Sequence, residues 1–309
     1  MNLLLLLILG SIWGTSFLFI KIIVGEVGPL TLVSGRLMTA TLLIWLLLHL
    51  RRIPVPRGRK LWTTYAVLGL LNGALPYALI SWGEQYIASG WAALLQSMTP
   101  IFTILLAHLL TRDDRITAPK AFGVALGFGG IGVLMWPELQ DGLSASFLGM
   151  VAVVAAAASY ALASIFARRH LQGEAPIASA AGQFTMGLAY ILPLAFIFER
   201  PLTISPSWTA LGSWITLSVL GTVVAYILYF VLLERTSATF TTMVTYIVPI
   251  NGLILGSLIL HEPLSPMVLI SLGAVLGGVL LVRQSGDPDR RRQQGMAKKR
   301  PPSVAKHRL

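Results

Sequence analysis

The sequence contains no cysteine, which excludes disulfides, thiolate metal sites and thiol nucleophiles and leaves the redox compartment undetermined. Charge is scarce as well. Only 11% of the 309 residues are Asp, Glu, Lys or Arg, against roughly 25% in soluble domains. So few ionisable groups cannot cover a soluble core of this size, which excludes a soluble enzyme. Also missing are a G-x-x-x-x-G-K-[ST] loop, an HExxH motif and any close cluster of His or carboxylates. ATP-driven transport by this chain is therefore not expected, and neither is a metal or a cofactor.

What the chain does have is apolar residues, 55% of the total. A membrane-crossing helix needs about 20 of them in succession. Ten such runs occur, at about 3–24, 29–50, 61–83, 87–110, 119–136, 147–167, 176–198, 210–233, 238–260 and 266–282. They are continuous rather than alternating, so they read as helices whose backbone groups are satisfied within each segment. The leucine-rich start MNLLLLLILG is not read as a cleavable secretory signal, because no basic residue precedes the apolar run and the second half holds a counterpart span.

The formal net charge of +11 is concentrated at one end: nine of the 23 Lys and Arg follow Val282, in a tail with two Asp. The body is nearly neutral, so nucleic-acid binding is not expected. Lys and Arg in connecting segments mark the cytoplasmic side. With the N-terminus inside, that side holds Arg51, Arg52, Arg57, Arg59, Lys60, Arg112, Arg115, Lys120, Arg168, Arg169, Arg235 and the tail, while the opposite side has Arg200 alone. Both termini are expected in the cytoplasm, with residues 284–309 as a basic disordered tail near an anionic leaflet.

The chain repeats itself. Trp13, Lys21, Pro29, Gly35 and Leu37 match Tyr160, Arg168, Pro176, Gly182 and Phe184 at an offset of 147. Tyr77, Pro100 and Ile101 match Tyr226, Pro249 and Ile250 at 149, and Ile116, Thr117, Gly129 and Gly130 match Leu264, Ser265, Gly277 and Gly278 at 148. Each half has five spans, an odd number, so the second half must cross the membrane in the opposite sense. The expected architecture is an all-α integral membrane protein of ten transmembrane helices arranged as two inverted five-helix repeats, 1–138 and 146–283. Such halves can place one site at their interface and expose it alternately to each side. That favours a carrier over a channel or scramblase, and no acid, base and nucleophile set at one depth supports a membrane enzyme.

The motif GSIWGTSFLFIK at 10–21, and two five-span halves each with a proline in the fourth span and a glycine-rich fifth, resemble the drug/metabolite transporter superfamily and its EamA-type branch. The resemblance covers residues 3–282. It implies a bacterial inner-membrane protein exporting amino acids or related small metabolites. One departure matters: four-span multidrug relatives use a glutamate in the first span for proton-coupled export of cations, and Met1–Ile20 contain no acid.

The site is expected at mid-membrane, where polar side chains are costly unless they face a cavity or another helix. Candidates are Trp13, Asn72, Tyr77, Gln96, Tyr160, Tyr226, Thr245 and Tyr246, a set of amide, hydroxyl and aromatic groups without an acid that suits a neutral or zwitterionic solute. Each also has an ordinary reading as helix packing or an interhelical hydrogen bond. Pro100 and Pro249 form a paired helix interruption or hinge that frees carbonyls, or else a simple kink. Arg36 and Lys21 are a possible gate or carboxylate contact. Arg36 is expected to find Glu84, Glu26 or a carbonyl, and Lys21 to snorkel outward. Were both cations to face the cavity, a phosphorylated or nucleotide-linked sugar would be the alternative substrate. Glu84 and Glu234, at the ends of spans three and eight, could accept protons but are expected in water at the interfaces, and His49 and His108 carry at most a weak titrating role. Gly123, Gly127, Gly273 and Gly277 allow close packing of spans five and ten, within the chain or across a homodimer. Small-molecule substrate and lipid bilayer are the expected partners.

Overall fold

The computed structural model describes residues 1–110, 116–140, 142–236 and 238–284, and among these every regular element is a helix. Among the described residues, nine helices are long and apolar enough to span a membrane: α1 (Asn2–Val24), α2 (Pro29–Leu50), α3 (Arg59–Gly83), α4 (Ser89–Leu110), α5 (Ala118–Gln140), α6 (Ala145–His170), α7 (Pro176–Phe198), α8 (Trp208–Arg235) and α10 (Pro266–Gln284). Between α8 and α10 lies the shorter apolar α9 (Val244–Leu260). The basic tail beyond residue 284 lies outside the described residues, as do Arg112 and Arg115.

Local chemistry sets the boundaries. Pro29 and Pro176, repeat partners, both stand at the first helical position of α2 and α7, where a missing N–H costs nothing. Ser144 and Ser207 cap α6 and α8, each hydroxyl accepting from the amide three residues on, Phe147 and Ala210. Two boundaries differ from the sequence reading. α5 continues through Pro137 to Gln140, because a proline that close to the helix end removes a single bond of the last turn. The run expected at 238–260 is divided: a turn of helix at Ala238–Thr241 ends before α9 starts at Val244.

Packing shows the repeat. α1 packs on α8 and α9 as α6 packs on α3 and α4, α3 on α7 as α8 on α2, while α2 with α7, α4 with α9 and α5 with α10 pair with their own counterparts. Equivalent glycines make equivalent crossings. A Cβ on Gly35 would strike Trp214 of α8, and one on Gly182 would strike Tyr65 of α3. α5 and α10 approach through Gly123, Gly127 and Gly278: a Cβ on Gly123 would sit 2.7 Å from the Gly278 carbonyl oxygen. Gly273 faces open space instead.

α3 and α8 are not uniform. Each carries a π-helical turn, Leu70–Ala74 and Val219–Val224, at positions the repeat makes equivalent. A π turn withdraws carbonyls from the ordinary ladder and is frequent at functional sites. Here the freed groups find other donors: the Leu71 carbonyl accepts from the Ser159 hydroxyl of α6 at 2.8 Å, and the Leu217 carbonyl from Thr222 at 3.3 Å.

Candidate functional site

A cavity of about 750 Å³ lies between the halves. α1 to α4 and α6 to α9 line it, and α10 adds Val279, Val282 and Arg283 near its C-terminal end. It runs from Ile20 and Ile80 to Glu174, Thr242 and Arg283, which lie where α6 gives way to α7, α8 to α9, and α10 ends.

Of the sequence candidates, Trp13, Arg36, Asn72, Tyr77, Gln96, Pro100, Tyr160, Tyr226 and Thr245 come together on this lining. Tyr246, Pro249 and Lys21 are not on it. Tyr246 turns its ring toward Arg283, 5.6 Å from the guanidinium carbon, and its hydroxyl is buried without a hydrogen-bond partner.

The polar centre joins the two halves. Arg36, 7% exposed, donates from Nε to the Thr222 hydroxyl at 2.8 Å and holds its guanidinium 4.0 Å from the Tyr77 ring centre. It therefore meets neither Glu84, Glu26 nor a carbonyl, as the sequence reading had it. The π turn of α8 brings a hydroxyl within reach instead, and the cation gains a ring face. Asn72 donates to Gln183 Oε1 at 3.1 Å and lies 3.2 Å from the Tyr226 hydroxyl. Along one wall, aromatic rings pack in sequence: Trp13 against Tyr229 at 5.7 Å, Tyr229 against Phe230 at 5.8 Å, Phe230 against Tyr226 at 5.9 Å. The chamber thus offers one cation at its polar centre, Arg36, with Arg283 and Glu174 at its far end, several amides and hydroxyls, and a broad apolar face.

The two prolines behave differently. α4 breaks at Ser97 and Met98, just before Pro100, and the Gln96 carbonyl that the proline cannot engage accepts the Thr99 hydroxyl at 2.9 Å. α9 passes through Pro249 without a break, and the turn falls earlier, at Thr242 and Met243.

The cavity stops short of the opposite end, where carboxylates of one half hold helix N-termini of the other. Glu199, after α7, accepts from the Leu30 and Thr31 amides of α2 at 3.0 and 2.7 Å. Glu262, between α9 and α10, accepts from the Ser89 and Gly90 amides of α4 at 2.7 and 3.0 Å and from the Ser89 hydroxyl at 3.1 Å. Glu26, after α1, takes the Ser207 amide and hydroxyl, both at 2.7 Å, before α8. Unfilled amides and the helix dipole make such ends natural carboxylate sites. Lys21 joins this seal rather than reaching into water, donating from Nζ to the carbonyls of Glu84 at 2.6 Å and Ile87 at 2.8 Å. Glu84 is also not in water: it is 0% exposed, whereas Glu234 is exposed as expected.

Sequence reasoning missed Thr222, Gln183 as a partner of Asn72, and the three clasps. Gln183 was visible as the repeat counterpart of Arg36. The clasps had a fainter signal, acids placed just outside spans that end where others begin.

The model of the EamA-like transporter family matches twice, over residues 1–136 and 147–284, once in each half. Similar proteins include the uncharacterized transporter YoaV of Bacillus subtilis (strain 168), 26% identical over 86% of this chain and 90% of that protein. The uncharacterized inner membrane transporter YedA of Escherichia coli (strain K12) is 27% identical over 88% of this chain and 87% of its own length. An uncharacterized Pseudomonas aeruginosa protein, PA1977, is 30% identical over 80% of this chain and 81% of its own. A crystal structure 17% identical in sequence covers 93% of this chain and 99% of its own with a TM-score of 0.65, a likeness of fold.

Proposed function

The chain belongs to the EamA-like transporter family and is a multi-pass membrane transporter, and we propose that it exports amino acids or related small zwitterions by alternating access, with Arg36 holding the substrate carboxylate. The observation that carries this reading is Arg36 itself: a cation on the cavity wall whose only hydrogen bond is from Nε, to Thr222, and which has no bonded carboxylate among the described residues. A guanidinium fork on such a wall matches a carboxylate in geometry and charge. Asn72, Gln183 and Tyr226 supply neutral partners for an ammonium group or hydroxyl, and the aromatic wall takes an apolar side chain.

Under the orientation expected from Lys and Arg placement, the open end faces the cytoplasm and the clasped end faces outward. The protein then loads from inside, which agrees with export. A phosphorylated sugar would need Lys21 beside Arg36, and Lys21 is committed to the carbonyls of Glu84 and Ile87. The test is uptake of radiolabelled neutral amino acids into liposomes holding the purified protein. Saturable uptake, with competition among amino acids, supports the proposal. Flux that never saturates indicates a channel or scramblase, and silence across amino acids, nucleosides and amines removes the substrate assignment.

A further inference from the structure

Among the described residues, Glu84 is the fully buried carboxylate at the sealed end, and it holds no helix terminus. It follows the last residue of α3 and is 0% exposed, and neither of its carboxylate oxygens has a hydrogen-bond donor. Its neighbours at this end, Glu26, Glu199 and Glu262, each accept from at least two donors. The charges acting on Glu84 come from three elements: Lys21 on α1, Arg36 on α2 and Glu262 between α9 and α10. None relieves it by contact. The Lys21 ammonium is engaged with backbone carbonyls, Arg36 with Thr222 and Tyr77, and Glu262 is itself an anion. α6, which meets the adjacent Gly83 through Gly149 and Val153, brings no charge. An ionised carboxylate buried without a donor is far costlier than the neutral acid.

We propose that Glu84 is a proton-binding site that latches the sealed end: the two halves close over the protonated acid, and when they part water reaches the carboxyl and the proton leaves. Glu84 is not on the cavity lining. The proton is accordingly taken from, and returned to, the compartment on the sealed side, so the latch sets the pH dependence of opening without carrying net protons across. High pH on that side favours opening, by up to about tenfold in the open-to-sealed ratio per pH unit. The Glu26 clasp has the opposite sign, because protonating its carboxylate weakens its hold on Ser207. The inference rests on the alternating-access reading for what opening means, and the test separates the two.

The full chain in lipid nanodiscs is examined by infrared spectroscopy at neutral pH for the carbonyl band of a protonated carboxylic acid. The band is expected, and Glu84→Gln removes it. Its absence, or its survival in Glu84→Gln, overturns the proposal whether or not any solute is transported. The natural lack of cysteine permits a second measurement. Ile87→Cys, at a position 3% exposed, reports the sealed end to an impermeant maleimide, and Leu202→Cys, 85% exposed after α7, corrects for the thiol's own ionisation. The Ile87-to-Leu202 labelling ratio is expected to rise with pH on that side and to stay low and flat in Glu84→Gln. An unchanged pH slope in Glu84→Gln rejects the latch. A persistent band and a pH-dependent ratio in a protein that moves no amino acid leave the proton site standing and remove the substrate reading alone.

Discussion

Arg36 and Gln183 occupy the same place in the two halves, 147 residues apart, and each is hydrogen-bonded to the π turn of the opposite half: Arg36 to Thr222, Gln183 to Asn72. The second helix of each half is thereby tied to the third helix of the other at cavity depth. Both ties must adjust if the halves rock about the cavity, and single π turns inside α-helices are frequent at functional sites. The symmetry is broken in charge. One side offers a cation and the other an amide, so a bound solute experiences a polar axis even though the backbones are equivalent.

That asymmetry makes Arg36 the residue whose loss is selective. Arg36→Gln should raise KM for carboxylate-bearing solutes by about ten- to hundredfold, the loss of a hydrogen bond to a charged group being ~1.5–3 kcal/mol. Arg36→Lys should recover little, since an ammonium cannot reproduce the planar fork or its stacking on Tyr77. Initial uptake rates in liposomes measure both. Equal KM in wild-type and Arg36→Gln protein means that the carboxylate sits elsewhere.

The ten spans were legible because continuous apolarity over a bilayer's thickness has few other meanings, and the repeat was legible because Pro29, Gly35 and Tyr77 recur at nearly constant offsets. Most of the lining followed from one rule, that a polar residue at mid-span faces a cavity or a partner. Tyr246 escaped it because its neighbour Thr245 takes the cavity side. The π turn of α8 was not legible, since VLGTVV contains no proline and no pattern unlike the surrounding helix, while in α3 the nearby Pro76 marks a disturbed ladder without specifying a π turn. Their register depends on donors elsewhere in the chain, Ser159 for one. Pro249 misled for a related reason: tertiary packing carries α9 through it and puts the break where the sequence is unremarkable.

The clasps should determine how readily the sealed end opens. Glu199→Gln and Glu262→Gln each remove a charge from a helix N-terminus, worth about 0.3–1 kcal/mol. Labelling of a single cysteine at Val27, 2% exposed in the sealed state, should quicken by about two- to fivefold in each. The two act on different helices, α2 and α4, so the double variant should show nearly the sum of the free-energy effects. Labelling no faster than in the parent would make these caps ornaments of the helix ends and not a gate.

Small residues hold α5 to α10, and the contact is specific enough to grade. Gly123→Ala places a methyl 2.7 Å from the Gly278 carbonyl oxygen, and Gly278→Ala places one 2.5 Å from that of Gly123. Backbone cannot yield as a flexible side chain can, so each should lower thermal stability in detergent, at an overpacking cost of ~1–3 kcal/mol. Gly129→Ala, with nothing within 4 Å, should not. Indistinguishable melting of all three variants would contradict the crossing as described.

Acid should loosen one clasp in particular. The amide and hydroxyl of Ser207 hold the Glu26 carboxyl below its ordinary value of 4.5. A carboxylate with a lowered native pKa contributes stability that is fully present above its unfolded value and disappears as pH falls through the folded one. The Glu26 clasp is therefore intact at neutral pH and opens only in acid below about 4.5. Water reaches this pair freely, so the effect is small and shrinks further with salt. In the parent, labelling at Val27→Cys, corrected for thiol ionisation, should rise as that side is acidified through this range. Glu26→Gln should show the raised level already at neutral pH and a weaker response to acid. If the variant titrates like the parent, the acid response does not come from the Glu26 clasp.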